Sequence, residues 1–265
     1  MHRLVRQVRF SIDPFSGQQA QGFNSFASKP AGEGLPVYLE LEAGILGQVD
    51  GDTGFVVNVT EIDRKAREFA VAVMEEKIKK AFAEARNISF PEIGNLLTEV
   101  RDVLRDKFAG MTVSDLALKL NPFRKVSIDC EVDDMIYFSE KFEFAAMHKL
   151  WNRDFSEQKN FDVFGKCANP SGHGHNYVIE VTIKAKEGKE KFSYGEFEKV
   201  VDGEFVQQVD HKNLNEDIQF FREHIPTVEN IAVFAWNSLE GRFENVKLHS
   251  VTVWETDRTS CTYYG

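Results

Sequence analysis

One order of hydrophobic periodicities occurs twice along the chain, and that repetition restricts the folds open to it more than composition does. In the second half, apolar residues alternate from Met135 to Met147 (Ile136, Phe138, then Phe142, Phe144, Ala146), which is strand periodicity. A long loop rich in polar residues and Phe is expected from there to Gly174, followed by a β-branched alternating strand from Asn176 to Lys184. Ser193 with Glu196 predicts a capping box opening a helix to about Gln207. The loop VDHKNLNED follows, then a helix from an N-cap at Thr227 to a C-cap at Gly241, and two closing strands, HSVTVWET and TSCTYYG.

The first half gives the same order. VRQVRFSID is a strand, and PVYLELEAGIL begins a second that is expected to continue past the turn DGDTG into FVVNV. Glu61 to about Glu84 is helical in composition. A second helix runs from about Pro91 to Phe108, with Ile93, Leu96, Leu97, Val100 and Leu104 on one stripe. VSDLALKL and FRKVSID close the half. Two strand–strand–helix–helix–strand–strand units, residues 1–130 and 135–265, explain the order better than one continuous domain, with the boundary near Cys130 to Asp134.

The chemistry concentrates in FGKCANPSGHGHNY, Phe164 to Tyr177. Cys167 stands six residues ahead of His173, and one glycine separates His173 from His175. In an extended segment, residues two apart share a face, so the two imidazoles can share a metal. His148 ends the alternating stretch FEFAAMH and offers a third imidazole. Three histidines with a thiol nearby fit a catalytic zinc with an open coordination position.

The two halves differ at these positions. FSIDP aligns with FAAMH, so Pro14 stands at His148; LALKL aligns with VTVWE, so Leu120 stands at Glu255. The first half has no histidine after His2 and no cysteine before Cys130, so it cannot build the same site. It is expected to be scaffold.

Composition narrows the partners. A formal charge of −10 argues against general affinity for nucleic acid or anionic membranes. No apolar run approaches a membrane span, and MHRLVRQVRF lacks the core of a signal peptide. Three scattered cysteines make no disulfide framework, so a cytoplasmic setting is expected. Cys130 and Cys261 read as small core residues, and His2, His224 and His249 as structural or solvent-facing. The lysine-rich AKEGKEK reads as a solvated hairpin.

From about Phe138 to Gly265 the chain resembles the 6-pyruvoyl-tetrahydropterin synthase and 6-carboxytetrahydropterin synthase family. FAAMH, FGKCANPSGHGHNY, VDHKNLN, PTVENIAVFAW and VTVWETDRTSCTYYG carry the likeness in family order. The spacing of Cys167 and His173 is similar to that of the pyruvoyl enzyme. The resemblance implies an α+β tunnelling fold whose antiparallel sheets associate into an oligomeric β-barrel with helices outside. It implies zinc held by His148, His173 and His175, and a catalytic set of Cys167, Asp210 and His211, the last two reaching a neighbouring subunit's pocket. Glu255 would anchor the pterin, with Thr227 and Glu229 lining its site. Val228 stands where some members carry a second threonine, and the family's DxxTG turn is found only in the first half, at Asp50 to Gly54.

The implied substrate is 7,8-dihydroneopterin triphosphate, converted to 6-pyruvoyl-tetrahydropterin with loss of triphosphate. Lys149, Arg153 and Lys166 are the triphosphate candidates, and magnesium is a candidate companion of the phosphates. Two rivals are set beside this reading. One is the carboxytetrahydropterin reaction of queuosine synthesis, which releases acetaldehyde. The other is a non-catalytic zinc-binding assembly protein.

Overall fold

In the computed structural model, residues 1–15, 36–132, 135–186 and 192–265 are described. The chain divides into two compact units, Met1–Phe138 with Ala185–Glu190, and Ser139–Lys184 with Lys191–Gly265. Most of the expected lysine-rich hairpin, residues 187–191, lies outside the described residues, as do Asp133 and Asp134 of the expected boundary. Both units mix helices with antiparallel sheet. Among the described residues, no helix is long and apolar enough to cross a membrane.

The first unit carries β1 (His2–Ile12), β2 (Val37–Gly47), β3 (Thr112–Lys119) and β4 (Arg124–Asp129), hydrogen-bonded in that order. Alternation sorts each strand into two faces. Val8, Phe10 and Ile12 are buried with Leu39, Leu41, Ala43 and Ile45. The opposite face pairs Gln7 with Glu42 and Arg9 with Glu40, where polar side chains meet across strands and Arg9 and Glu40 form an ion pair.

The residues FVVNV do not extend β2 as expected. Asp50 folds the chain back, its Oδ1 accepting the Thr53 amide and hydroxyl, each at 2.8 Å. Asn58 then accepts the Thr60 amide at 3.0 Å and opens α1 (Val59–Lys65). A side-chain cap here outcompetes the β-branched composition of the stretch. α1 continues through a π-helical segment (Ala66–Val71) into α2 (Ala72–Ala83). α3 (Phe90–Leu104) starts from a capping box between Ser89 and Glu92.

The second unit carries most of β5 (Met135–His148) and β6 (His173–Lys186), whose residues Met135–Phe138 and Ala185–Lys186 fall in the first unit, together with β8 (Lys247–Thr256) and β9 (Thr259–Tyr263); the four are hydrogen-bonded in that order. A two-residue β7 (Lys212–Asn213) lies parallel to β5. β6 begins at His173, ahead of the expected Asn176. The segment expected to be a loop contains α4 (Glu157–Phe164), capped by Ser156. α5 (Tyr194–Val201) passes through a second π-helical segment (Asp202–Val206) into α6 (Gln207–Val209). α7 (Leu214–Asp217) is a single turn, and α8 (Val228–Leu239) begins at the expected cap, Thr227.

The π segments have a packing cause. Along the first long helix the buried apolar positions Ile62, Ala66, Ala70, Met74 and Ile78 step by four residues before Ala81 follows on a step of three; along the second, Phe197, Val201, Phe205 and Val209 step by four. Both stripes run mainly at a spacing of four. At 3.6 residues per turn, each such step drifts about 40° around an α-helix. A wider turn takes up that drift and keeps the stripe against the sheet.

In the first unit, Asp63 is almost wholly buried beneath β1, and Arg6 holds both its oxygens, at 2.8 and 2.6 Å. Asp63→Ala removes two charge-assisted bonds from a site where water replaces them poorly. It is expected to cost about 3 kcal/mol, read as a lower urea midpoint at unchanged slope.

Candidate metal centre and active site

The site grows out of the core of the second unit. On β5, Phe144, Ala146 and His148 share one face; on β6, Tyr177, His175 and His173 do the same. Phe144 stacks on Tyr177, with ring centroids 5.0 Å apart and planes within 10°. Beyond Ala146 on β5, and directly after Tyr177 on β6, the aromatic core gives way to imidazoles. Ring centroids of the three histidines lie 4.5 to 5.2 Å apart. One ring nitrogen from each falls within 4.8 Å of the others.

Several observations test whether a metal fits. His148 Nδ1 lies 2.7 Å from the Pro226 carbonyl, which can only accept, so this nitrogen carries the proton and Nε2 keeps its lone pair. His173 Nδ1 and His175 Nε2 are buried without a hydrogen-bond partner. Burial holds His148 down to about 4, and burial followed by the charge of His175 lowers His173, so neutral imidazoles are favoured. Buried, neutral and partly unpartnered nitrogens facing one another suit a divalent cation.

Glu255 borders the triad, its Oε1 3.5 Å from His148 Nε2 and 3.8 Å from His175 Nε2. Cys167 sits in the short helical turn Gly165–Ala168. Burial, and then the negative charge of Glu255, push its thiol above the ordinary value. The Tyr177 hydroxyl stands 3.3 Å from His148 Nδ1. The structure therefore gathers His148, His173, His175, Glu255 and Cys167 into one neighbourhood.

Asp210 and His211 form their own pair. Asp210 Oδ2 lies 2.8 Å from His211 Nδ1, and Asp210 Oδ1 accepts the Ala145 amide at 2.8 Å. That backbone bond, followed by the His211 bond, lowers the Asp210 carboxyl below its usual range. His211 has a left-handed backbone (φ 55°) and an 82% exposed side chain, and it lines an open cleft together with His175 and Asn176. Among the described residues, no hydrogen bond or ion pair joins this dyad to Cys167. Thr227 caps α8, and Glu229 is exposed on its first turn.

Of the three cationic candidates, Lys149 and Arg153 line a single cavity of about 580 Å³ together with Arg222; Lys166 is not on its wall. Lys149 Nζ stands 4.7 Å over the Trp151 ring.

A protein named 6-pyruvoyl tetrahydrobiopterin synthase, from Homo sapiens, is 35% identical over 130 residues, spanning 48% of this chain and 90% of that protein. The chain belongs to the 6-pyruvoyl tetrahydropterin synthase family. The family model described as 6-pyruvoyl tetrahydropterin synthase matches residues 137–265. A 6-carboxy-5,6,7,8-tetrahydropterin synthase of Aquifex aeolicus is 26% identical over 159 residues, 47% of this chain and 95% of that one. The solved structure of the Caenorhabditis elegans 6-pyruvoyl tetrahydropterin synthase aligns at 31% identity with a TM-score of 0.46, over 49% of this chain and 96% of that one.

Within this 6-pyruvoyl-tetrahydropterin-synthase-like lyase unit, several positioning groups escape a reading by sequence. Asn215 clamps the backbone just after His148, accepting the Lys149 amide at 2.7 Å and donating to its carbonyl at 3.0 Å. Tyr177 was accessible to the same two-residue periodicity that finds the histidines. The Pro226 carbonyl is a backbone atom and leaves no signal in residue type.

Asn160, fully buried on α4, organises the segment ahead of Cys167. Its Oδ1 accepts the Asn152 amide at 2.7 Å, and its Nδ2 faces the carbonyls of Asn152, Phe155 and Ser156 at 3.0 to 3.3 Å. Asn160→Leu strands these groups. A cost of about 2 kcal/mol is expected, with amide protection lost first at residues 152–156 in hydrogen-exchange mass spectrometry.

Proposed function

We propose that the second unit binds zinc through His148, His173 and His175 and converts 7,8-dihydroneopterin triphosphate to 6-pyruvoyl-tetrahydropterin with loss of triphosphate. The observation carrying this reading is a histidine triad with buried, unpartnered ring nitrogens, bordered by a carboxylate and a thiol, in a chain of this family. Bound zinc supplies positive charge that acidifies the C–H and O–H groups of a diol side chain placed beside it.

The remaining work falls to the chain's own side chains. Glu255 offers two acceptor oxygens to the donor N–H edge of the pterin, which orients the ring and its side chain. Thr227 and Glu229, at the start of α8, line that ring site. Cys167, as thiolate, takes the proton from the side-chain carbon. Asp210 holds His211 through Nδ1, leaving His211 Nε2 free to exchange protons with a partly assembled pocket. Because His211 faces outward, the dyad is assigned to a neighbouring copy's pocket, and the active species is a cytoplasmic homo-oligomer built as a barrel. β1 and β9, each hydrogen-bonded on one side among the described residues, offer edges for that association.

We assign the first unit, residues 1–130 of the expected division, as a second copy without chemistry, and residues 135–265 as the catalytic copy. Three shared details support common descent. Each unit orders its four main strands alike. Each first long helix carries a π segment. In each, the register shifts at the third residue of the third strand, Ser114 and His249. Counting from these irregularities sets Leu120 at Glu255 and Val37 at His175, while Pro14 falls at His148. Apolar side chains stand at these three positions.

Cys167→Ala is expected to retain one zinc per chain by elemental analysis while turnover falls by about 10²- to 10⁴-fold; full activity in that variant would remove Cys167 as the base. His148→Ala is expected to lose stoichiometric zinc. Incubation of zinc-loaded protein with 7,8-dihydroneopterin triphosphate, with chromatography of the pterins and assay of acetaldehyde, decides the product. Pyruvoyl-tetrahydropterin supports the proposal. Carboxytetrahydropterin with acetaldehyde transfers the unit to the queuosine branch, and zinc without turnover identifies a retired enzyme.

A further inference from the structure

We infer that Asn230 is a positioning residue of the metal centre: by gripping the Ile225 carbonyl it holds the Pro226 carbonyl against His148 and fixes that ring in its ligand-ready tautomer. The inference rests on the zinc reading above and concerns a side chain to which no role in this site has been given.

The His148 side chain is wholly buried, so no water can substitute for its partners. Its Nδ1 has two neighbours, the Pro226 carbonyl at 2.7 Å and the Tyr177 hydroxyl at 3.3 Å. A hydroxyl rotates and can donate or accept, so Tyr177 does not decide which nitrogen is protonated. A carbonyl accepts only, so Pro226 does decide it. The orientation of one peptide plane therefore sets where the lone pair of His148 points.

Pro226 has no N–H with which to anchor itself. The plane of its carbonyl also carries the Thr227 amide, which donates to the Ile225 carbonyl at 2.7 Å, and Asn230 Nδ2 donates to that same carbonyl at 2.8 Å and holds it in place. Starting α8 does not require the amide side chain. Thr227 already supplies the cap, its hydroxyl accepting the Asn230 backbone amide at 3.4 Å. The Asn230 side chain reaches back past the cap instead, to the turn that carries the carbonyl. Groups that orient a ligating histidine from outside the coordination sphere typically contribute about 10- to 100-fold in metal affinity.

The test measures zinc affinity of the full chain by competition with a chromophoric chelator. Asn230→Ala and the isosteric Asn230→Asp, which keeps the shape and removes the donors, are both expected to bind zinc about 10- to 100-fold more weakly. The absorption bands of the cobalt-substituted protein should change with them. Ser238→Ala, which deletes the 2.9 Å bond to the Phe234 carbonyl on the same helix, should leave zinc affinity unchanged. Asn230→Asp carries the test if the alanine variant folds poorly. Wild-type affinity in both Asn230 variants overturns this inference and leaves the metal reading standing. A wild-type chain that binds no zinc overturns the metal reading and this inference with it. Nitrogen-15 spectra of the zinc-loaded wild type should place a proton on His148 Nδ1; a proton on Nε2 overturns the inference.

Discussion

The shared face of β5 and β6 is the constraint on which the site depends. Phe144 against Tyr177 fixes the register of two strands whose inward faces run on to His148 beyond Ala146 and to His175 and His173. Slipping one strand by a single residue would turn its whole inward set to the opposite face. The buried bond between the Ser139 and Thr182 hydroxyls, at 2.9 Å, opposes the same slip further along the two strands. The packing that stabilises the unit thus also brings the imidazoles together, and little ordering is left for a ligand to impose.

Electrostatically, the neighbourhood lacks a positive charge. Burial disfavours the charged forms of His148 and His173, while Glu255 introduces a carboxylate and, together with burial, disfavours ionisation of Cys167. A divalent cation among the imidazoles would offset the Glu255 charge and favour the thiolate at once. Each of the groups is awkward without the ion and consistent with it.

Legibility in the sequence followed the range of the interactions. His173 and His175 were within reach because a two-residue spacing on a strand maps directly to one face, and His148 because it ends a clear alternation. Thr227 was found as a cap for the same reason: capping is local chemistry. FVVNV misleads because its β-branched composition speaks for a strand while Asn58 makes a cap. α4 was hidden behind a mixed Phe and polar segment, and its organiser, Asn160, acts through backbone groups of residues 152–156. Cys167 and the Asp210–His211 pair were expected to act as one catalytic set, yet within one chain no direct contact among the described residues connects them.

The π segments carry a consequence for direction. An α-helix advances about 100° per residue, so one residue more or fewer within Asp202–Val206 would rotate everything after it by about that angle. Asp210 follows immediately on Val209, the last turn of that helix, and its hold on the Ala145 amide requires one particular exit angle. The first unit keeps the same wide turn without any dyad to aim. Helix phase is therefore a demand of the core in both units, and in the second the aim of the Asp210–His211 pair is inherited from it.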